Sequence, residues 1–580
     1  MNHADQVMNW LKELGFTHCF FVAGGNSMHL LNSARQNMDC VPFVHEVSAG
    51  IAAEYFNEAR AEGQRAFVLV TAGPGMTNLV TALAGAYLES RELLVLGGQV
   101  KSTDLATGGL RQRGIQEIDG VSIARPITKC SLRVEQPISK KTFVDAVVAG
   151  VSDRPGPVFL EFCLDAQGAP AIGDDESVSN DAMSPTVMQT KSSDLVDAVA
   201  ILAGSQKPVL LLGGGVARSS MNRLLPLIEA SGIPVMTTWN GADRISSDHP
   251  QYLGRPNTWG QRSSNILIQQ ADVVVAVGTR LGLQQSGFNW QEFVANGKII
   301  HVDIDENELT KGHPTTSLAI HADANDFLEK LLVEISNSKS AAWSSWLLEA
   351  RKVRMSLPLS EAVNGYHDGF LNPFDFALQL SAICTESDQI VPCSSGGAFT
   401  VMMQAFNQKF EQTVITDKGL ASMGYGLAGA IGTSISHRER RTVLVEGDGG
   451  FAQNLQELAT VDVQQLNLKI FIFANEGYAS IRMTQRNYFD GAYLGCDINT
   501  GLGFPQWEKL ASAYGLSFLT VTPNWLDDSK FLTAWNSVNP TIFIVPVHPE
   551  QTYFPKISSQ VTPSGGMVSA PLHLMTPEIP

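Results

Sequence analysis

Short apolar runs recur along the chain, each followed by glycine and then by a longer mixed stretch. This rhythm restricts the fold more than any other feature. The clearest runs are Ala66–Val70, Leu93–Leu96, Pro157–Phe162, Val209–Leu212, Val273–Val277, Ile299–Asp303, Thr442–Val445, Ile470–Ala474 and Thr541–Val545. A strand buried on one face alternates apolar and polar residues, whereas one buried on both faces reads as an unbroken apolar run. Such runs, separated by helix-length segments, predict βα units and parallel sheets covered on both sides. The expected fold class is α/β, built from doubly wound parallel sheets.

The chain has 580 residues, of which 44% are hydrophobic and 17% charged. That supports several cores and excludes disorder or coiled coil as whole-chain descriptions. Acidic residues outnumber basic ones 57 to 40, for a net charge of −17. A nucleic-acid partner is not expected, because such affinity comes from Lys and Arg on phosphates. Cys19, Cys40, Cys130, Cys163, Cys384, Cys393 and Cys496 are scattered, without a CxxC pair. They read as free thiols in a reducing compartment. Met1–Trp10 lacks the basic-then-apolar pattern of a signal peptide, and no apolar run approaches the ~18 residues that span a bilayer. A cytoplasmic location with no membrane partner is therefore expected.

Two polar stretches, Ala169–Ser193 and Asn337–Asn372, interrupt the rhythm and read as linkers. They place domains at 1–170, 190–336 and 370–550. A Pro- and Ser-rich tail or flap follows at 551–580.

The strongest chemical signal lies in the third block. The strand Thr442–Val445 runs into Glu446-Gly447-Asp448-Gly449-Gly450-Phe451, and a second strand ends at Asn475-Glu476-Gly477. A carboxylate after a parallel strand sits where α/β folds bind ligands. Gly447, Gly449 and Gly450 let backbone approach a phosphate, and the next helix start favours negative charge. Asp448, the Asn475 amide oxygen and a backbone carbonyl at Gly477 suit Mg²⁺, which takes few protein ligands plus phosphate oxygens. In the first block, Val41–Glu46 reads as a short strand ending in a carboxylate, followed by a helix of small residues. Thr71-Ala-Gly73-Pro74-Gly75-Met-Thr-Asn78 reads as a tight turn at a strand end.

The spacing from Gly447-Asp448-Gly449 to Asn475 resembles the thiamine-diphosphate signature. His45-Glu46-Val-Ser-Ala-Gly-Ile-Ala-Ala-Glu-Tyr-Phe with the Gly73-Pro74-Gly75 turn resembles the pyrimidine-binding domain of the same enzymes. Gly97-Gly98-Gln99 after a strand, Gly114-Ile-Gln116-Glu-Ile and Lys418–Leu427 are similar to the acetolactate synthase large subunit. The resemblance covers roughly residues 1–550. It implies three domains: pyrimidine-binding, central and diphosphate-binding. Glu46 would be the catalytic acid that hydrogen-bonds a cofactor pyrimidine nitrogen, and Gln116 would orient substrate. Gly73, Pro74, Asn78 and Tyr478 would shape the cofactor site, Gly397, Ala398 and Phe399 would offer backbone donors to the diphosphate, and Met423 would prop the cofactor into a bent shape. The cofactor would lie between Glu46 of one subunit and Asp448 of another, which implies a homodimer or homotetramer.

The middle block carries Gly213-Gly214-Gly215 after a strand, then Gly278-Thr-Arg280, then His301-Val-Asp303. These residues resemble the family's central domain, which often holds FAD or ADP. The family's His-containing glycine loop is replaced by Gly254–Arg262, and its acidic stretch by Gly282-Leu-Gln-Gln. FAD, ADP and an empty structural domain stay open as alternatives. Further departures are Ala23 for the proline of a PGG turn, Ala474 for the first residue of an Asn-Asn pair, and the absence of Trp from Tyr478–Gln485.

The expected activity is decarboxylation of a 2-oxo acid, pyruvate first, with ligation of the remaining two-carbon unit to a second carbonyl. The alternatives are transfer to a nucleotide-linked keto-deoxysugar, or decarboxylation without ligation. A non-catalytic scaffold would be expected to lack Glu46, Asp448 or Asn475, and all three are present.

Overall fold

The computed structural model describes residues 1–173, 183, 187–337, 343–561 and 563–579. The first sheet contains β1 (His18–Phe21), β2 (Asp39–Pro42), β3 (Ala66–Val70), β4 (Leu93–Gln99), β5 (Cys130–Val134) and β6 (Pro157–Cys163). Its spatial order is β2-β1-β3-β4-β6-β5. The second contains β7 (Pro208–Leu212), β8 (Val235–Thr237), β9 (Val273–Val277), β10 (Lys298–Asp303) and β11 (Leu318–His321), ordered β11-β10-β9-β7-β8. The third contains β12 (Gln389–Val391), β13 (Thr413–Val414), β14 (Thr442–Gly447), β15 (Leu468–Ala474), β16 (Ser517–Thr520) and β17 (Thr541–Pro546), ordered β13-β12-β14-β15-β17-β16. Pairing within all three sheets is parallel. The first and third sheets share one strand order, a kinship their sequences do not reveal.

Every apolar run read from the sequence is a strand. The unread strands are mostly sheet edges: β5, β11 and β16 are only partly buried, so polar residues break their apolar pattern. Two local expectations are corrected. The strand before Glu46 stops at Pro42, and Glu46 opens the helix Glu46–Ala59, capped by His45, whose ring nitrogen accepts from the Val47 amide at 3.3 Å. Gly97, Gly98 and Gln99 lie within β4 instead of after it. Of the expected linkers, residues 174–182, 184–186 and 338–342 lie outside the described residues. Ser344–Ser356 is a helix whose Trp346 and Ala350 join the central core.

The C-terminal segment packs on the molecule. Tyr553, Ile557, Leu572 and Met575 are buried, and Lys556–Ile557 pairs antiparallel with Met575–Thr576. Residues 562 and 580 of the expected tail lie outside the described residues. No helix among the described residues is long and apolar enough to cross a membrane.

The first and third domains meet through topologically equivalent helices. Glu46–Ala59 follows β2, and Tyr425–Ser436 follows β13. They touch almost backbone to backbone, because a Cβ on Gly432 would collide with the Ala52 carbonyl. Gly432→Ala should therefore destabilise the protein by about 1–3 kcal/mol through overpacking, although alanine is the better helix former. An unchanged or raised urea midpoint would contradict this contact.

Beside that seam, Arg91 donates to Glu54 Oε1 at 2.8 Å and to the Thr416 carbonyl at 2.8 Å. Burial pushes the Glu54 carboxyl up to about 8, although Arg91 pulls the other way. The native state thus binds a proton that the unfolded chain has already lost, so Glu54 costs stability as pH rises from about 4.5 to about 8. Glu54→Gln should flatten that fall in melting temperature. Identical slopes for variant and wild type between pH 5 and 8 would refute it.

Candidate active site

In an open α/β sheet, ligands bind where the strand order reverses, at the carboxyl edge. All three sheets place their sequence-derived candidates there. In the first sheet the reversal lies between β1 and β3, which leads into Gly73 and Pro74. In the second it lies between β7 and β9, which lead into Gly213–Gly215 and Gly278. In the third it lies between β12 and β14, which lead into Gly396–Ala405 and Gly447–Gly450.

The third edge is the most developed. Asp448 is 2% exposed and Asn475 is 6% exposed. Asp448 Oδ1 accepts the Gly449 amide at 2.7 Å, while Oδ2 accepts the Asn475 and Gly477 amides at 3.1 and 3.2 Å. Burial pushes the carboxyl up to about 7 despite these donors. The end of the Asn475 side chain lies 3.2 Å from Asp448 Oδ1 and 2.8 Å from the Gly477 carbonyl oxygen. With its amide nitrogen there, Asn475 would donate to both. With its oxygen there, as the structure has it, a carboxylate, an amide and a carbonyl oxygen converge. Adjacent oxygens on an octahedral ion with ligand distances of 2.0–2.1 Å are about 3 Å apart. The spacing therefore fits a small hard divalent cation. Among the described residues no group of three His, Cys, Asp or Glu could hold a metal, so a site of this kind needs the amide and backbone oxygens.

The neighbouring loops are fixed around this edge. Gly477 has φ +143°, and a Cβ there would run into the Cys496 carbonyl. The Tyr478 ring lies where a Cβ on Gly449 would be. Ser394 donates to the Ser422 carbonyl and Asn454 Nδ2 to the Gly424 carbonyl at 2.8 Å, which holds Met423 beside Gln453 and Asn454. Met423 is partly exposed and accepts Gln453 Nε2 at 3.6 Å. Gly397, Ala398 and Phe399 form the first turn of Gly396–Ala405, where amides lack partners within the helix. The Phe399 ring points away to an edge contact with Trp239 at 5.0 Å.

At the first edge, Glu46 is 9% exposed and its Oε2 accepts Asn78 Nδ2 at 2.9 Å. Gly73 has φ +63° and abuts the Gln116 carbonyl, and Gln116 is itself left-handed at φ +62° with its side chain exposed. Glu46, Gly73, Pro74, Asn78 and Gln116 thus form one group. Among the described residues, no hydrogen bond joins it to the Asp448 group. Glu457 accepts the Val44 and His45 amides at 3.3 and 3.0 Å.

Comparison with known proteins agrees with this geometry. Residues 1–123 match the thiamine pyrophosphate enzyme N-terminal TPP binding domain, 195–331 its central domain and 395–542 its C-terminal TPP binding domain. The chain is 30% identical over 537 residues to the probable acetolactate synthase large subunit of Methanocaldococcus jannaschii, covering 89% of this chain and 87% of that one. It is 28% identical over 562 residues to acetolactate synthase isozyme 1 large subunit of Escherichia coli (strain K12), covering 96% and 95%. The chain belongs to the thiamine pyrophosphate enzyme family.

The central-domain edge of this thiamine pyrophosphate enzyme opens into a cavity of about 1100 Å³ walled by all three domains. Gly214, Gly215, Gly278, Arg280 and Asp303 line it. Gly213 is committed to packing, since a Cβ there would strike the Gly278 carbonyl. The Arg280 guanidinium has no hydrogen-bond or ion-pair partner among the described residues. Asp303 accepts the Asp305 amide at 2.9 Å, and burial pushes its carboxyl up. In the substituted loop Gly254–Arg262, Asn257 lines the cavity, while the arginines face structural partners: Arg255 donates to the Met403 and Phe406 carbonyls at 2.8 and 2.7 Å, and Arg262 to Glu361 at 2.6 Å.

Three residues around the Asp448 group are not singled out by sequence reasoning. Tyr553 reaches Asn475 Nδ2 at 3.5 Å and packs its ring over Gly397. Arg482 donates to the Asn475, Glu476 and Pro549 carbonyls at 3.3, 3.1 and 2.8 Å, which stitches down the Asn475–Gly477 loop. Glu446 lies under Gly426 and Gly450, and burial pushes it up to about 8. Only Glu446 carries a signal, as an acid inside an otherwise apolar strand.

Proposed function

We propose that this enzyme uses thiamine diphosphate and Mg²⁺ to decarboxylate pyruvate and to join the retained two-carbon unit to a second 2-oxo acid, as an acetolactate synthase does. The observation that carries the reading is the oxygen set of Asp448, Asn475 and Gly477 at a reversal point of the sheet, in a chain that aligns end to end with proteins named acetolactate synthase. Bound thiamine diphosphate supplies a nucleophilic carbon and accepts the electrons released as CO₂ departs.

The chain's own residues supply position and protons. Asp448, Asn475 and the Gly477 carbonyl hold Mg²⁺. Gly447, Gly449, Gly450 and the first-turn amides of Gly397, Ala398 and Phe399 face the diphosphate, where the helix start favours negative charge. Met423 would pack against the cofactor and Tyr478 would close one side. Glu46 shares a proton with a pyrimidine nitrogen, with Asn78 holding its carboxyl in place, while Gly73 and Pro74 shape the adjoining wall. Gln116 orients substrate. A second copy completes each site, with Glu46 of one subunit facing Asp448 of another, giving a homodimer or homotetramer. The domains run 1–170, 190–336 and 370–550, with 551–580 as a C-terminal tail or flap, in a cytoplasmic enzyme. The central domain holds FAD or ADP or serves as an empty structural domain; a bound dinucleotide would meet Arg280 at its phosphate and Asp303 at its ribose hydroxyls.

The test is to incubate the protein with pyruvate, thiamine diphosphate and Mg²⁺ and to follow products by NMR. Acetolactate is expected. Acetaldehyde alone would replace ligation with simple decarboxylation. Pyruvate loss that couples only to an added keto-sugar would replace the acceptor. No pyruvate consumption would sink the proposal.

A further inference from the structure

The scattered cysteines of the sequence are not all scattered in space. β1 and β2 are adjacent and parallel, and their register sets Cys19 beside Cys40. Both thiols lie on the same face: Cys19 belongs to the core cluster that includes Leu30 and Phe67, and Cys40 packs against that cluster. The register sets the two side chains next to each other across the strand pair. Cys19 is fully buried, whereas Cys40 is half-buried on the outer strand of the sheet. Of the other sheet cysteines, Cys130 sits opposite Val158 and Cys163 opposite Gln99.

The geometry suits a bridge. Neighbouring strands lie about 4.7–4.9 Å apart, inside the Cα separation of about 4.4–6.8 Å that disulfides accept. The contact also makes the two sulfurs unequal. Hydrogen bonding from Cys19 lowers the Cys40 thiol, against partial burial and the charge of Asp39, while burial holds Cys19 well above its usual range. A lowered, accessible thiol beside a protonated neighbour is the arrangement of an attacking and a resolving cysteine.

We propose that Cys40 and Cys19 form a reversible thiol–disulfide pair, with Cys40 the sulfur that reacts with hydrogen peroxide and Cys19 the one that resolves it. The Cys40 thiolate attacks one peroxide oxygen. The O–O bond breaks, the departing hydroxide takes up a proton to become water, and Cys40 is left as a sulfenic acid. Cys19 sulfur then attacks Cys40 sulfur. The S–O bond breaks, and the leaving hydroxide carries off the Cys19 proton as water. One peroxide is reduced by two electrons, and two thiols become one disulfide. The bridge ties β2 to β1 just ahead of Val44, His45 and Glu46, so it fixes the approach to the helix that carries Glu46. Bridges in reducing compartments are characteristically transient and redox-sensing, and a partly exposed one opens readily to added thiol.

The experiment treats the full-length protein with a few equivalents of hydrogen peroxide, blocks remaining thiols by alkylation, digests without reductant and maps the peptides by mass spectrometry. A Cys19–Cys40 linked peptide should appear before other cysteines are oxidised and vanish on addition of dithiothreitol. In Cys19→Ser, dimedone should label Cys40. Separately alkylated Cys19 and Cys40 at doses that oxidise other cysteines would overturn the proposal. So would conversion of Cys40 to the sulfinic acid without a link. The mapping on unmodified protein stands even if the serine variant does not fold.

Discussion

Glu46→Gln should lower turnover on the order of 10²–10⁴-fold, the range expected when a positioned acid–base group is lost. Glutamine keeps the shape and still accepts the Asn78 hydrogen bond seen at 2.9 Å, so the loss reports on the proton and not on the fold. Thiamine diphosphate binding, followed by quenching of tryptophan fluorescence, should change far less than turnover. The melting temperature should stay within a few degrees of wild type. Full turnover in this variant would remove Glu46 from the mechanism. A collapse of cofactor binding in step with turnover would make it a binding residue instead.

The second large effect is expected at Asp448. Asp448→Asn should weaken Mg²⁺-dependent cofactor binding by at least about 10²-fold, because removing one partner of a buried charge pair costs about 3 kcal/mol or more. The metal-free protein should respond in the opposite sense. Burial pushes the Asp448 carboxyl up to about 7, so without a cation its ionisation costs stability as pH rises from about 3.8 to about 7. Asparagine never ionises. Between pH 5 and pH 8 without Mg²⁺, the melting temperature of the variant should therefore fall less than that of wild type, even though asparagine's single side-chain oxygen cannot accept all three amides. Added Mg²⁺ and cofactor should raise the wild-type melting temperature only. A variant that is equally destabilised in both conditions would make Asp448 a structural residue.

Much of this arrangement is legible in the amino-acid sequence, and the reasons are local. Asp448 follows a strand buried on both faces, and the apolar run of β14 marks where that strand ends. Asn475 closes β15 in the same way. Strand ends of a parallel sheet converge on one edge, so two residues 27 positions apart meet at Asp448 Oδ2. The residue pattern puts Glu46 at the end of a strand, yet Glu46 opens a helix. Pro42 and the His45 cap end the strand early, and neither effect interrupts a short apolar run. Tyr553 and Arg482 are not legible, since each acts through backbone far away in sequence: Tyr553 over Gly397, and Arg482 on the Pro549 carbonyl. The contact of Cys19 with Cys40 depends on which strands are neighbours, and neither the four residues of β1 nor those of β2 say which strand each pairs with.

The shared strand order of the first and third sheets divides two demands between different residues. The strands and the Gly432–Ala52 seam form the frame, and the groups that perform chemistry sit at its ends: Glu46 opens the helix that carries Ala52, and Glu446 of β14 lies under Gly450. Glu46, Gly73–Asn78, Gly447–Gly450 and Asn475–Gly477 lie in loops and helix starts at the edge of that frame. Function that sits on loops above a stable scaffold can change by loop substitution alone. Two copies of one scaffold in a single chain can thus diverge independently, one presenting a proton-sharing acid and the other a cation cradle. A new acceptor substrate would call for changes at these rims, and the sheets beneath could stay as they are.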